Sequence, residues 1–90
     1  MGYTQYQEDY QEQVVVEKER QLVLFNDDVN TFDHVINCLI DICRHEPEQA
    51  EQCAIIVHYK GKCAVKEGSY EGLEPMCVAL ADRGLSAEIH

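Results

Sequence analysis

A change from a strand-forming run to a helical repeat limits the fold of this chain more than any other feature. Gln21 to Phe25 is a short apolar run of strand-forming type, and it stops at the polar sequence Asn26-Asp27-Asp28. Beyond it, apolar residues recur at spacings of three and four: Phe32, Val35, Ile36, Leu39, Ile42 and Cys43. The pattern predicts an amphipathic helix, roughly Thr31 to Arg44. Asn30 or Thr31 would cap it, and an Asn30 cap would place Asp33 at the third helical position.

A second helix and a second strand are predicted next. Pro47 suits the first helical turn, where its missing N–H has no helical partner. The inner face of this helix would carry Ala50, Cys53, Ala54 and Val57. Gly61 is expected to end the helix in the left-handed conformation, and Lys62 to Val65 to form the strand.

The last part of the chain predicts a third helix and a closing strand. The apolar face of the helix would contain Leu73, Met76, Cys77 and Leu80. Proline deep in a helix costs on the order of 3 kcal/mol. We therefore expect the helix to begin near Gly72, with Pro75 in its first turn, rather than to begin at Ser69 and bend. Gly84 would end it, and the alternation from Leu85 to Ile89 indicates a strand.

The element order predicts an α+β domain of two layers, βααβαβ, with a three-stranded antiparallel sheet packed against three helices. A chain of 90 residues has room for one such domain, and we assign it to residues 21–90. Residues 1–20 are expected to form a flexible N-terminal extension, since the first thirteen are rich in Gln, Tyr and Glu without a periodic apolar face. Val14 to Val16 would suit a short edge strand.

The net charge of −10 restricts the class of partner. Seventeen acidic residues stand against seven Lys and Arg, so the chain repels phosphate. This argues against nucleic acid and anionic membranes and favours a cationic ligand or a basic protein surface. The sequence has no apolar run long enough to span a membrane, and the first residues do not resemble a secretory signal, so we expect a cytoplasmic protein.

The five cysteines predict neither a metal site nor a catalytic nucleophile. They are odd in number, contain no C-x-x-C pair and lie in apolar patterns, which is typical of buried free thiols: Cys38, Cys43, Cys53, Cys63 and Cys77. The spacing of five from Cys38 to Cys43, and from Cys53 to His58, does not suit a shared helix face. No glycine-rich phosphate loop is present. We therefore predict no thiol nucleophile, no nucleotide hydrolysis, no metal and no cofactor.

Three polar or aromatic features could nevertheless meet at one site. The Asn26-Asp27-Asp28 loop follows the first strand, His58 lies near the end of the second helix, and Phe32 lies in the first turn of the first helix. Each also suits an ordinary structural role, as turn, helix-end and core residues respectively. If the first strand and the second helix end on the same side, these groups would surround a small cavity edged by Phe32 and Val35. Such a cavity suits a primary ammonium group beside an apolar side chain.

Four segments in these regions form a more specific pattern. They are Leu24-Phe25-Asn26-Asp27-Asp28, Thr31-Phe32-Asp33-His34-Val35-Ile36, Val57-His58-Tyr59-Lys60-Gly61-Lys62 and Gly84-Leu85-Ser86-Ala87-Glu88-Ile89. Together they resemble the ClpS-type adaptors of the ATP-dependent Clp protease, over residues 21–90. The resemblance implies a non-enzymatic adaptor. Such a protein binds the destabilising N-terminal residue of a substrate protein, a bulky aromatic or leucine, and delivers it to the AAA+ unfoldase of the protease.

The resemblance also implies a role for individual residues. Asn26, Asp27 and His58 would hold the substrate's α-amino group, with Asp28 and Asn30 in support. The hydrophobic pocket would be lined by Phe32, Val35, Ala54, Val57 and Leu85. Glu71 would contact the N-terminal domain of the unfoldase, and the first twenty residues correspond in position to an extension used in delivery. The protein would act as a monomer.

The sequence departs from the usual family pattern at several of these positions. Phe32 stands where a methionine commonly guards the pocket, Ala54 replaces a common methionine, and Asn30-Thr31 replaces Thr-Pro. Met76 stands where a basic residue contacts the unfoldase. We therefore expect a changed ranking of N-terminal residues and a changed docking surface.

Two other interpretations remain open at this stage. The chain could dock a basic protein helix on its acidic surface, as the similar fold at the C-terminal end of ribosomal stalk proteins docks translation factors. It could also be a redox or metal protein built on the five cysteines. Binding that weakens steeply with ionic strength would indicate surface docking, whereas a low-pKa thiol or bound metal would indicate the redox or metal protein.

Overall fold

Three strands and three helices follow one another in the predicted order. The structure is a computed structural model, and it describes residues 18–90. The elements are β1 (Arg20–Phe25), α1 (Phe32–Cys43), α2 (Pro47–Lys60), β2 (Lys62–Gly68), α3 (Tyr70–Asp82) and β3 (Ser86–Ile89). The predicted edge strand at Val14 to Val16 lies outside the described residues, and the assignment of residues 1–20 to an extension remains a prediction.

The sheet has β1 at its centre, in the order β2-β1-β3, with both pairs antiparallel. Phe25, the last residue of β1, is paired with Lys62 on one side and Ser86 on the other. The end of β1 therefore lies beside the start of both outer strands. The core contains buried residues from the sheet, from all three helices and from the segment between α3 and β3: Leu22, Leu24, Cys38, Leu39, Cys43, Ala50, Val57, Val65, Leu73, Leu80 and Leu85. The prediction of an α+β domain with an antiparallel three-stranded sheet is confirmed.

The ends of α1 and α2 follow from local sequence. Thr31, not Asn30, caps α1: its Oγ1 accepts a hydrogen bond of 3.1 Å from the His34 N–H. Pro47 is the first residue of α2, and Gly61 ends that helix with φ of +92° and an N–H that donates to the Val57 carbonyl. Of the two predicted caps of α1, Thr31 is therefore the actual one. The Asn30 side chain is left to bind another partner.

The predicted start of the third helix was wrong. α3 begins at Tyr70, and Pro75 lies inside it. Ser69 caps the helix through its Oγ, which accepts a 3.0 Å hydrogen bond from the Gly72 N–H, and its carbonyl accepts from the Leu73 N–H. Leu73 is almost fully buried in the core. The Ser69 cap and the burial of Leu73 favour a start at Tyr70, and together they outweigh the cost of a proline inside the helix. The prediction took only the cost of proline into account.

The strand ends also differ slightly from those predicted. β1 starts one residue earlier than expected, at Arg20, and β2 continues to Gly68 instead of ending at Val65. The extension exists because Gln21 and Arg20 of β1 are paired with Glu67 and Gly68 of β2. The ends of these strands are decided by pairing between distant segments. Local periodicity in the sequence does not indicate such pairing.

Candidate functional site

The loop after β1 and the end of α2 are held together by the backbone. The Asn26 N–H donates a hydrogen bond of 2.9 Å to the carbonyl of Gly61, the residue that ends α2. His58 lies in the last turn of α2. This bond places the acidic loop and the imidazole on the same side of the domain, as the cavity hypothesis required.

The carboxylate of Asp27 organises the loop. Its Oδ1 accepts hydrogen bonds from the backbone N–H groups of Val29 (2.9 Å) and Asn30 (3.0 Å), a turn typical of aspartate. The side-chain amide of Asn30 also donates to both carboxylate oxygens. The Asn30 N–H lowers the pKa of Asp27 most, and the other two donors add to this effect, while partial desolvation opposes it. Asp27 is therefore a charged and oriented acceptor at neutral pH.

A cavity of about 230 Å³ lies beside this loop. It is lined by Leu24, Phe25, Asn26, Asp27, Asp28, Asn30, Phe32, Val35, Ala54, Val57, His58 and Leu85. The lining contains every residue that the sequence assigned to the amine site, to its support and to the hydrophobic pocket. The structure thus brings these residues together, while their roles in binding remain predictions.

The apolar wall of the cavity is part of the core. Ala54 and Val57 lie on the buried face of α2, and Leu85, between α3 and β3, is only 5% exposed. Phe32 differs from them, because 39% of it is exposed at the mouth of the cavity. A ligand side chain would therefore meet a wall backed by the core inside and a partly exposed aromatic ring at the entrance.

His58 is held by aromatic rings. Its ring centroid lies 6.0 Å from that of Phe32, at an interplanar angle of 85°, and 4.9 Å from that of Tyr59, at 84°. Both are edge-to-face arrangements, which aromatic rings favour. Within residues 18–90 the imidazole makes no hydrogen bond. His58 lines the cavity, and no partner among these residues uses its hydrogen-bonding groups.

Sequence reasoning missed two lining residues, Leu24 and Phe25. Both are the last residues of β1 and lead directly into the polar loop. Their position was a usable signal, since a cavity that includes a loop commonly includes the strand end before it. Leu24 is fully buried and supplies core volume beneath the site.

Glu71 does not line the cavity. It lies in the first turn of α3, on an open surface depression that we call the α3 surface: Glu71, Glu74, Pro75, Val78, Ala79 and Asp82. Val78 is 54% exposed there. Met76 belongs to the same helix but packs against the core. The α3 surface is therefore acidic with an apolar centre.

Four of the five thiols are unsuited to nucleophilic catalysis. All five cysteines are free, and burial raises the pKa of Cys43 to about 11. Burial, together with the neighbouring Cys63 thiol, raises the pKa of Cys53 to about 12. Burial also raises the pKa of Cys38 and Cys77. These four thiols stay protonated at neutral pH, and protonated thiols are poor nucleophiles and poor metal ligands.

The remaining histidines considered as metal ligands make structural contacts. The His34 Nε2 lies 2.8 Å from the carbonyl oxygen of Arg83, and the buried His45 Nε2 lies 2.6 Å from that of Val65. Across residues 18–90, no cluster of three potential ligands is placed to hold a metal ion. In the same part of the chain, none of the helices has the length and apolar character needed to cross a membrane.

Two comparisons with known proteins identify the family and the fold. The family model of the ATP-dependent Clp protease adaptor protein ClpS matches residues 16–88. The fold is similar to a solved structure of Agrobacterium tumefaciens ClpS2 bound to L-phenylalaninamide, with a TM-score of 0.78 and 19% sequence identity. That similarity covers 81% of this chain and 95% of the other. No curated protein sequence matches significantly. The family match confirms the resemblance seen in the sequence, and the chain belongs to the ClpS family, whose members are adaptors rather than catalysts.

Proposed function

We propose that this protein binds the free N-terminal residue of substrate proteins, where that residue is bulky and hydrophobic, and delivers these substrates to the Clp AAA+ unfoldase. One observation carries the proposal. A charged carboxylate, Asp27, and an imidazole, His58, border the same small cavity as an apolar wall backed by the core. An N-terminal residue has the matching chemistry, because its ammonium group and its side chain leave the same carbon atom.

The polar side of the cavity suits an α-ammonium group. The α-amino group of a free peptide in water has a pKa of about 8, so it is largely protonated at neutral pH. Its N–H groups donate a charge-assisted hydrogen bond to the Asp27 carboxylate. Asn26 and His58 supply further polar atoms, with Asp28 and Asn30 in support. A site of this kind disfavours ligands without an ammonium group, because they leave its polar groups unpaired.

The apolar side of the cavity suits one large side chain. Phe32, Val35, Ala54, Val57 and Leu85 form it. A volume of about 230 Å³ is below the range of 300–1,000 Å³ typical of pockets for drug-sized molecules, which fits a single residue. The similar ClpS2 structure supports this proposal, since its ligand, L-phenylalaninamide, joins a free amine and an aromatic side chain.

Delivery would use a different surface of the domain. Glu71 lies on the acidic α3 surface, which we propose contacts the N-terminal domain of the unfoldase. Residues 1–20 would act during delivery, and the adaptor would work as a monomer in the cytoplasm. The net charge of −10 disfavours nucleic acid as a further partner.

The decisive experiment compares a fluorescent peptide that begins with Phe or Leu with its N-acetylated form. The free peptide is expected to bind, whereas acetylation removes the charge that Asp27 recognises and abolishes binding. A peptide with the same sequence but N-terminal Gly controls for the side chain and should bind weakly. Equal binding of the free and acetylated peptides would refute the mechanism.

Salt dependence separates this function from docking of a basic helix on the acidic surface. Ionic strength screens exposed charges over a Debye length of about 8 Å at 0.15 M salt. Peptide binding in the cavity should therefore weaken only modestly between 0.05 M and 0.5 M salt. A steep decline for peptides with and without an acetyl group would instead indicate surface docking.

A further inference from the structure

The side chain of Asn30 joins two walls of the cavity. On one side its Nδ2 lies 3.1 Å from Oδ1 and 2.8 Å from Oδ2 of Asp27, in the β1–α1 loop. On the other side the same Nδ2 lies 2.9 Å from the carbonyl oxygen of Gly84, between α3 and β3. Asn30 and Gly84 are 54 positions apart in the chain, so the link depends on the tertiary structure.

The two hydrogens of the amide group are both used by this link. A side-chain amide has two N–H donors. One is shared between the two oxygens of Asp27, and the other is donated to Gly84. A hydroxyl group, with one hydrogen, could not donate to both partners at once. The link is thus specific to an amide at this position.

The two carboxylate oxygens of Asp27 also differ in the number of hydrogen bonds that they accept. Oδ1 of Asp27 accepts from the Val29 N–H, the Asn30 N–H and the Asn30 amide. Within the described residues, Oδ2 accepts only from the Asn30 amide. Because each carboxylate oxygen offers about two lone-pair directions, Oδ1 is saturated and Oδ2 keeps an acceptor site.

Gly84 connects this hydrogen-bond network to the apolar wall. It has a φ of +87°, which suits glycine, and it directly precedes Leu85, a residue of the cavity wall. The Leu85 N–H donates to the Leu80 carbonyl at the end of α3. Leu85 is therefore attached both to α3 and, through Gly84, to the side chain that orients Asp27.

We propose that Asn30 is a positioning residue that holds the amine site and the apolar wall at a set separation, and that Oδ2 of Asp27 is the oxygen that meets the substrate's ammonium group. The proposal rests on the proposed function, because it concerns the same cavity. It adds a geometric requirement: a ligand must place its ammonium at Oδ2 while its side chain reaches Leu85.

The test combines peptide affinity with the titration of Asp27 in the absence of ligand. Asn30→Ala removes the amide but keeps the backbone N–H that donates to Asp27. We expect the pKa of the Asp27 carboxyl, followed by carbon-detected NMR, to rise toward its ordinary value, because one donor to the charged form is lost. The carboxyl of Asp28 and the imidazole of His58, which line the same cavity, are followed in the same titration. Affinity for a Phe-initiated peptide should fall by about threefold to tenfold.

Two further variants make the result specific. Asn30→Leu keeps the approximate shape of the side chain, has no side-chain N–H donors and adds no charge beside Asp27, so affinity should fall about as far as in Asn30→Ala. Ser69→Ala removes one side-chain cap bond at α3, remote from the cavity, and controls for general destabilisation. It should change neither the Asp27 titration nor the affinity.

Distinct outcomes would overturn the two proposals. An Asp27 titration and an affinity that are both unchanged in Asn30→Ala would refute the positioning role, as would an equal loss of affinity in Ser69→Ala. Failure of the wild-type protein to distinguish free from acetylated peptides would refute the proposed function instead. The ligand-free titration would still show whether the amide of Asn30 holds the carboxylate.

Discussion

The cavity and the α3 surface both carry acidic side chains, but they use them differently. At the cavity, Asp27 accepts hydrogen bonds from two backbone N–H groups and one amide, and it borders an enclosed apolar wall. On the α3 surface, Glu71, Glu74 and Asp82 surround an open depression around Val78. The comparison teaches that position changes what an acidic group is suited to do. Asp27 is oriented by its donors and partly desolvated, which suits a charge-assisted hydrogen bond, whereas salt readily screens charges around an open depression.

The largest expected effect concerns Asp27. Asp27→Ala removes the charged acceptor and the turn that it organises. Affinity for a Phe-initiated peptide should fall by about tenfold or more, since a hydrogen bond to a charged group contributes about 1.5–3 kcal/mol. Fluorescence titration measures the loss, and circular dichroism checks that the domain remains folded. An unchanged dissociation constant would remove Asp27 from the site.

His58 should have the next largest effect. His58→Ala deletes an imidazole that lines the polar side of the cavity and packs edge-to-face with Phe32. We expect a loss of peptide affinity of about 1–2 kcal/mol in the same titration. Tyr59→Ala is the matched control, because Tyr59 contacts the His58 ring but does not line the cavity. Similar losses in both variants would indicate that packing of the ring, and not its nitrogen atoms, supports binding.

Phe32 should alter selectivity more than affinity. Phe32→Met replaces a stiff ring at the mouth of the cavity with a flexible side chain. We expect the ranking of peptides that begin with Phe, Tyr, Trp and Leu to change, with differences of about 1 kcal/mol, comparable to one methylene group. A peptide array, read with both proteins, shows the ranking. Identical rankings would mean that Phe32 does not limit the side chain.

A substitution at Glu71 tests the role of the α3 surface. Glu71 lies on the α3 surface, away from the cavity. The affinity of the Glu71→Gln variant for the peptide should therefore stay within error of the wild type. Binding to the isolated N-terminal domain of the unfoldase should weaken by up to about 1 kcal/mol at low salt, and less at high salt. Calorimetry at two salt concentrations measures both. A loss of peptide binding would show that the two regions are coupled.

The smallest expected effect is on acid stability. The Asp27 pKa is lowered in the folded protein, mainly by the Asn30 N–H. The carboxylate therefore adds stability above its unfolded pKa, and this contribution is lost as the pH falls through the lower, folded pKa. Asp27→Asn should consequently lose less stability than the wild type on acidification below about pH 4. Parallel acid unfolding curves for the two proteins would contradict this expectation.

Much of the fold could be predicted from local patterns, and most of the residues around the cavity from the family motifs. The strand at Gln21 to Phe25 and the helices ended by Gly61 and Gly84 follow from periodicity and backbone preferences. Local patterns offered two starts for α3 and did not decide between them, because the balance between the Ser69 cap and the cost of Pro75 also depends on the burial of Leu73 against other elements. The partner of Asn30 also escaped prediction, since Gly84 is distant in sequence.

The sequence by itself determined the type and order of the elements and, through the family motifs, the residues around the cavity. Those properties depend on residue type and on spacing along the chain. Only the tertiary structure decided that the Asn26 N–H reaches Gly61, that Asn30 links Asp27 to Gly84, and that Oδ2 keeps an acceptor site. The reason is physical: hydrogen bonds and packing between distant segments depend on distances of a few tenths of an ångström, which no local pattern contains.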